Sequence, residues 1–276
     1  MKETETRFTT EALVIGEMNV GESDRLVTLF TCDRGIIRAF AAGAKSIKSK
    51  KGAATSLLTY SSFTIIKKKD TYKIYEATPL RMFFGAGSDI AVLALAQYFC
   101  ELSGIFVSFG SPDGEFFRLI LNSLYFLTVK KRCPSVIKAI TEMRAAAISG
   151  FAPNLVACAG CGKFESDTMY FDPLGGSIYC EDCKPDGIRL FPLEPTLIRA
   201  LRHIVYSEFK KLYSFSVPDD AANRLSVITG EYITIQSDHR FKTLEFYNTV
   251  AAPDAENPSE RGNFSGAAHY GERYEL

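Results

Sequence analysis

Two cysteine pairs, Cys158-Ala-Gly-Cys161 and Cys180-Glu-Asp-Cys183, stand 18 residues apart. Four thiolates at that spacing suit a tetrahedral metal site, each pair offering two sulfurs from one tight turn. Gly160 and Gly162 allow the first turn to bend with its amides toward the sulfurs. Between the pairs, residues 169–172 read as a short strand, Gly175-Gly176 as a turn and residues 177–179 as the returning strand. Such a hairpin carries the second pair back to the first, the arrangement of a zinc ribbon. Iron takes the same four sulfurs; the donor type and spacing favour zinc. Four protein ligands leave no coordination position for water or substrate, so one structural Zn2+ is expected and no reaction. Two disulfides would need an oxidising compartment, and Met1-Lys2-Glu3-Thr4-Glu5 lacks the apolar segment of a secretion signal. Redox Cys-x-x-Cys pairs usually open a helix, which neither pair does.

Elsewhere the residues of catalysis are scattered. His203, His239 and His269 have no partner at catalytic or metal-binding spacing, and no glycine-rich loop precedes a Lys-Ser/Thr pair. Carboxylates adjoin at Glu181-Asp182, where they read as solvation of the second cysteine turn. Cys32, Cys100 and Cys133 read as buried structural thiols. A non-enzyme is therefore expected. The charge pattern is more informative. The chain is neutral overall, yet Arg34, Arg38, Lys45, Lys48, Lys50, Lys51, Lys67, Lys68, Lys69 and Lys73 fall in one span whose single acid is Asp70. Cations track phosphates, and Phe40, Tyr60, Tyr72 and Tyr75 are candidates for stacking bases, so this span is the expected nucleic-acid surface. The plainer reading is solvated loop lysines around aromatic core residues, which would leave a protein-only adaptor; an RNA-binding barrel with a zinc ribbon is the other alternative.

The elements that must carry these residues change character along the chain. Residues 1–80 read as five short strands, at 11–17, 25–31, 36–40, 61–66 and 72–76, with a basic loop over 43–52. A closed barrel removes the edges such strands would expose. Residues 81–153 read as three helices: Ser88 or Asp89 caps the first, Asp113 the second, and Pro134 opens the third. The cysteine hairpin at 154–186 interrupts a helical domain that resumes over 187–250. Residues 251–276 are rich in Pro, Glu, Gly and Ser and read as a disordered acidic tail. No run is long and apolar enough for a membrane span, so no membrane partner and a cytoplasmic location are expected.

Glu11-Ala-Leu-Val-Ile-Gly-Glu-Met-Asn-Val-Gly-Glu-Ser-Asp-Arg-Leu-Val-Thr-Leu-Phe-Thr31, Arg34-Gly35 and Ala41-Ala-Gly-Ala-Lys45 resemble the opening of the bacterial recombination mediators of the RecO family. The helical middle with its inserted Cys-x-x-Cys pairs is similar as well, and the resemblance spans roughly residues 8–248. Some family members lack the cysteines. The resemblance implies an α+β chain with an N-terminal OB-fold β-barrel, followed by an all-α domain with an inserted four-cysteine zinc ribbon. It implies non-enzymatic binding of single- and double-stranded DNA, annealing of complementary strands, and action with RecR and, at some DNA ends, RecF. Capture of the acidic C-terminal tail of single-strand DNA-binding protein (SSB), and through it loading of RecA, is implied too, as is a nucleoid-associated location. By position, Arg34, Arg38 and Lys45 fall in the barrel region that the family uses for DNA. Lys130, Lys131, Arg132, Arg199 and Arg202 are the helical cations expected to meet the acidic tail.

Overall fold

The computed structural model describes residues 6–46, 49, 51–85, 87–130 and 132–251. Lys48, Lys50, Lys131, His269 and all of the expected tail but Ala251 lie outside them.

Five strands form the N-terminal barrel: β1 (Thr6–Val20), β2 (Asp24–Thr31), β3 (Gly35–Ala41), β4 (Thr59–Lys68) and β5 (Thr71–Met82). The order is β1-β2-β3-β5-β4, closing on β1, the OB arrangement. Closure falls to β1, which is far longer than its apolar centre. Its residues 6–13 pair with β4 and residues 12–20 with β2, with a register shift between Val14 and Gly16. Alternation then divides the side chains. Ala12, Val14, Val27, Leu29, Phe63, Ile65 and Ile74 fill the barrel, while Leu13, Phe30 and Tyr60 face the helices.

The helical domain comprises α1 (Ile90–Phe106), α2 (Gly114–Val129), α3 (Pro134–Ile148), α4 (Pro195–Tyr206), α5 (Asp219–Ser237) and α6 (Lys242–Ala251). Asp89 caps α1 by accepting the N–H groups of Ala91 and Val92 at 2.8 and 3.1 Å, and Asp113 caps α2 through Phe116 N–H at 2.9 Å. No comparable local signal marks α6. Its first turn is held from α1 instead, where the Glu101 carboxylate accepts Thr243 N–H at 3.0 Å.

Barrel and helices share one apolar core. Phe30 meets Phe117 edge to face at 5.0 Å and Phe116 at 6.2 Å. At the seam, Ile36 N–H donates to Ser108 O and Gly110 N–H to Ile36 O. Gly35 sits there at φ +60°, and a Cβ would lie 2.1 Å from Ser111 O, so this position admits no side chain. Deeper in the domain lies a charged pair. Lys138 and Glu142 on α3 meet at 2.9 Å, 2% and 0% exposed. Glu142 also accepts Tyr98 O–H from α1 (2.8 Å) and Thr229 O–H from α5 (2.6 Å), and Lys138 donates to Ser226 O (2.6 Å).

The cysteine region is larger than a two-stranded hairpin. β6 (Asn154–Cys158), β7 (Met169–Asp172), β8 (Ser177–Cys180) and β9 (Phe191–Leu193) form one sheet in the order β6-β8-β7-β9. Its Leu155, Met169, Phe171, Ile178 and Leu193 belong to the helical core, with Phe171 5.3 Å from Tyr232 of α5. No helix among the described residues is long and apolar enough to cross a membrane.

Candidate metal centre and nucleic-acid surface

Cys158 ends β6, Cys180 ends β8, and Cys161 and Cys183 stand in the turns that follow. All four Sγ atoms lie within 4.8 Å of one another, the one such cluster among the described residues. Cys161 and Cys180 Sγ are 3.7 Å apart. Ligands about 2.3 Å from a tetrahedral zinc are about 3.8 Å apart, so the four thiols fit that ion with little movement. The turns are built for close approach. A Cβ on Gly160 would stand 2.8 Å from Cys183 Cβ, and Gly162 adopts φ +75°. Backbone N–H groups feed charge stabilisation into the site, Cys180 N–H donating to Cys158 Sγ at 3.3 Å. Burial raises the Cys158 thiol, but the N–H groups of Cys180, Cys161 and Gly160 outweigh it and bring it down to about 6. Hydrogen bonds to the Cys161 and Cys180 sulfurs push Cys183 up to about 12. Glu181 and Asp182 face outward on Lys184 and Lys163, solvating the turn as expected. Four such thiols can hold a metal ion and, with Cys158 and Cys180 buried, hold it as part of the core.

The remaining cysteines differ in setting. Cys100 is buried and its thiol pushed up to about 12 by burial, Cys133 is half-buried, and Cys32 is exposed beside Asp33 rather than in the core. His203 Nε2 lies 2.8 Å from Lys211 O, and His239 lies 3.5 Å from Glu101.

Of the cations expected on the barrel, the described ones form groups. Arg34 lies over the Phe8 ring at 4.1 Å and Lys67 over Tyr72 at 5.4 Å, and the two rings meet edge to face at 6.3 Å. Lys68 and Lys69 are exposed at the adjoining β4–β5 turn, where Lys69 takes φ +54°. Lys45 and Lys51 gather near the β2 end: Lys45 N–H donates to Ser23 O, and Asp24 feels Lys51 and Lys73. The Asp24 carboxyl is held below its usual range mainly by Gly43 N–H, with Ser23 O–H next. Arg38 is exposed and reaches Phe109 at the helical seam, 5.5 Å away. Arg7, outside the cationic span and so missed in the sequence, lies 4.2 Å over Tyr75. Tyr60 is no stacking platform. It is 8% exposed, packed on Phe117 and bonded to Glu11.

The helical cations divide by what they already hold. Arg132 donates to Phe215 O, and burial lowers its pKa despite the opposing influence of Tyr213. Arg202 donates to Leu155 O, Val156 O and Phe164 O, and lies 4.1 Å over Phe164. Arg199 is exposed beside a crevice of about 40 Å³. Lys130 is exposed at the α2 C-terminus, on the rim of a groove of about 250 Å³ lined by Phe83, Phe84, Val92 and Leu127.

Comparison with known proteins gives this architecture a setting. Residues 1–83 match the family "Recombination protein O N terminal" and residues 87–245 match "Recombination protein O C terminal". A protein of Acetivibrio thermocellus named DNA repair protein RecO is 31% identical over 241 residues, covering 87% of this chain and 96% of that protein. Proteins of the same name from Caldicellulosiruptor bescii (28% identical; 87% and 98% covered) and Dehalococcoides mccartyi (28%; 88% and 96%) are similar along nearly their whole lengths.

Proposed function

The chain belongs to the RecO family of DNA repair proteins, and from that premise we propose that it is a non-enzymatic mediator of recombinational repair. In this reading it binds single- and double-stranded DNA on the barrel and anneals complementary strands. With RecR, and with RecF at some DNA ends, it helps load RecA onto strands coated by SSB. It works in the bacterial cytoplasm at the nucleoid. The observation that carries the reading is that Arg34, Arg38, Lys45 and Lys67–Lys69 all stand exposed on the barrel, a cationic surface on a chain of zero net charge. Such a face draws phosphate backbones of any sequence, and a protein that holds two of them offsets the repulsion between strands. Annealing consumes no nucleotide, so it asks for no phosphate loop.

A single zinc ion on Cys158, Cys161, Cys180 and Cys183 would serve the fold. Bound there, it would tie the ends of β6 and β8 together, and the chemistry it supplies is charge-neutralising coordination of thiolates. The surface near the site supports this division of labour. Glu181 and Asp182, 57% and 78% exposed at the second cysteine turn, present carboxylates there, a poor match to DNA.

The test of the barrel is a double charge reversal. Arg34→Glu with Lys67→Glu should weaken binding of labelled single-stranded DNA by about tenfold or more and flatten its salt dependence by about two units of slope, one per lost phosphate contact. Unchanged affinity in fluorescence anisotropy would move DNA off the barrel.

We assign the acidic tail of SSB to the groove beside Lys130, where the cation adjoins Phe83, Phe84, Val92 and Leu127, and where the carboxylate of Asp89 is engaged with the first amides of α1. Lys130→Glu should reduce binding of an acidic peptide with an apolar C-terminus by about tenfold in calorimetry, since truncating or reversing a partner charge typically costs a few kcal/mol at most on a rim. An effect at Arg199 instead, with Lys130 silent, would relocate the site to α4.

A further inference from the structure

We infer that the barrel holds DNA by its sugar–phosphate backbone and leaves the bases unread, so that a strand without bases binds as well as one with them. The inference rests on the barrel reading above and deepens it.

Proteins that grip single strands by stacking present ring faces to the bases. Here rings on or beside the barrel carry a cation over one face. Arg34 lies 4.1 Å over Phe8, Arg7 4.2 Å over Tyr75, Lys67 5.4 Å over Tyr72 and Arg38 5.5 Å over Phe109. Phe8 and Tyr72 are further engaged with each other edge to face, and both are half-buried against the barrel core. Tyr60 lies beneath the helices, and Phe40 is half-buried. The rings thus act as seats for cations. A ring face engages a guanidinium without using its N–H donors, which leaves the planar fork that matches phosphate oxygens; Arg34 spends Nε on Asp33 at 3.4 Å and keeps its outer nitrogens for phosphate.

This has a use in the proposed activity. A strand gripped by stacking surrenders its bases to the protein and must release them before pairing. A strand gripped by phosphates alone keeps its Watson–Crick edges free while held. Backbone recognition is therefore the binding mode that annealing calls for.

Tyr75 and Phe109, 51% and 62% exposed, retain open ring surface, and they are where the inference is most easily broken. The experiment titrates the full chain against two labelled oligomers of equal length, oligo-dT and an abasic strand of tetrahydrofuran units, by fluorescence anisotropy at two salt concentrations. Affinities within about threefold, with equal salt slopes, are expected, because stacking contributes about a fivefold or larger factor per base where it operates, compounded over every stacked base. The same titrations with Tyr75→Ala and Phe109→Ala should leave the ratio of the two affinities unchanged. An abasic strand bound tenfold or more weakly overturns the inference while leaving the barrel as the DNA site, and so does a Tyr75→Ala or Phe109→Ala loss confined to oligo-dT. Absence of binding to both oligomers at low salt overturns the barrel reading itself.

Discussion

Cys180→Ser is expected to abolish binding of the one Zn2+ proposed for the four-cysteine site and to lower the melting temperature by about 10 °C or more, the consequence of losing an ion whose binding would be coupled to folding. The reason lies in where Cys180 stands. It is fully buried at the end of β8, the strand that pairs with both β6 and β7. Pairing between β6 and β8 is sparse, recorded at Asn154↔Ser177 and Cys158↔Ile178 with a register shift between them. A metal ion on the four sulfurs would supply the cross-link that the ladder does not. Because Leu155, Phe171 and Ile178 belong to the helical core, disorder in the sheet opens α4 and α5 as well. Calorimetry and metal analysis on the same preparation decide the matter, with Cys32→Ser, an exposed cysteine outside the cluster, as the control that keeps its metal. Unchanged metal content and melting temperature in Cys180→Ser would remove the structural role.

Glu142→Ala should cost about 3–5 kcal/mol, read from the urea unfolding midpoint, because it strands the Lys138 ammonium in the core. The pair is 2% and 0% exposed and receives Tyr98 and Thr229 hydroxyls, so three helices lose a partner in one substitution. Gly230 shows how closely α5 is fitted to the charge, since a Cβ there would lie 2.7 Å from Lys138 Nζ. The double change Lys138→Met with Glu142→Leu should recover most of the loss, as exchange of a buried ion pair for apolar side chains of similar size is often near neutral. A loss below about 1 kcal/mol in Glu142→Ala would mean that water reaches the pair.

What the sequence disclosed follows from how local each signal is. The cysteine cluster was legible because its four ligands sit in two short turns of fixed spacing. The caps at Asp89 and Asp113 were legible because each carboxylate binds amides two or three residues ahead. α6 was hidden because its capping carboxylate comes from Glu101, 142 residues away. β9 was hidden by its three residues and by Pro192, which reads against a strand. The ends of β1 were hidden because Thr6–Thr10 and Glu17–Val20 are largely exposed and owe their strand state to β4 and β2. Charge alone placed the cationic face on the barrel, yet it grouped Arg132 and Arg202 with Lys130. Only geometry shows that the first two commit their donors to carbonyls within the chain. Arg7 escaped because it lies outside the lysine-rich span, and its seat on Tyr75 depends on barrel closure.

Arg202 and Tyr206 have a further consequence. β6 is the outer strand of its sheet, and its backbone would otherwise offer free carbonyls and amides at an edge. Arg202 occupies Leu155 O and Val156 O, while Tyr206 O–H donates to Pro153 O and accepts Leu155 N–H. One helix thus blocks strand addition at this edge with side chains alone, in place of a fifth strand. A substitution at Arg202 unmasks a template for self-association, and turbidity or filament growth in such a variant reports on sheet protection rather than on partner recognition.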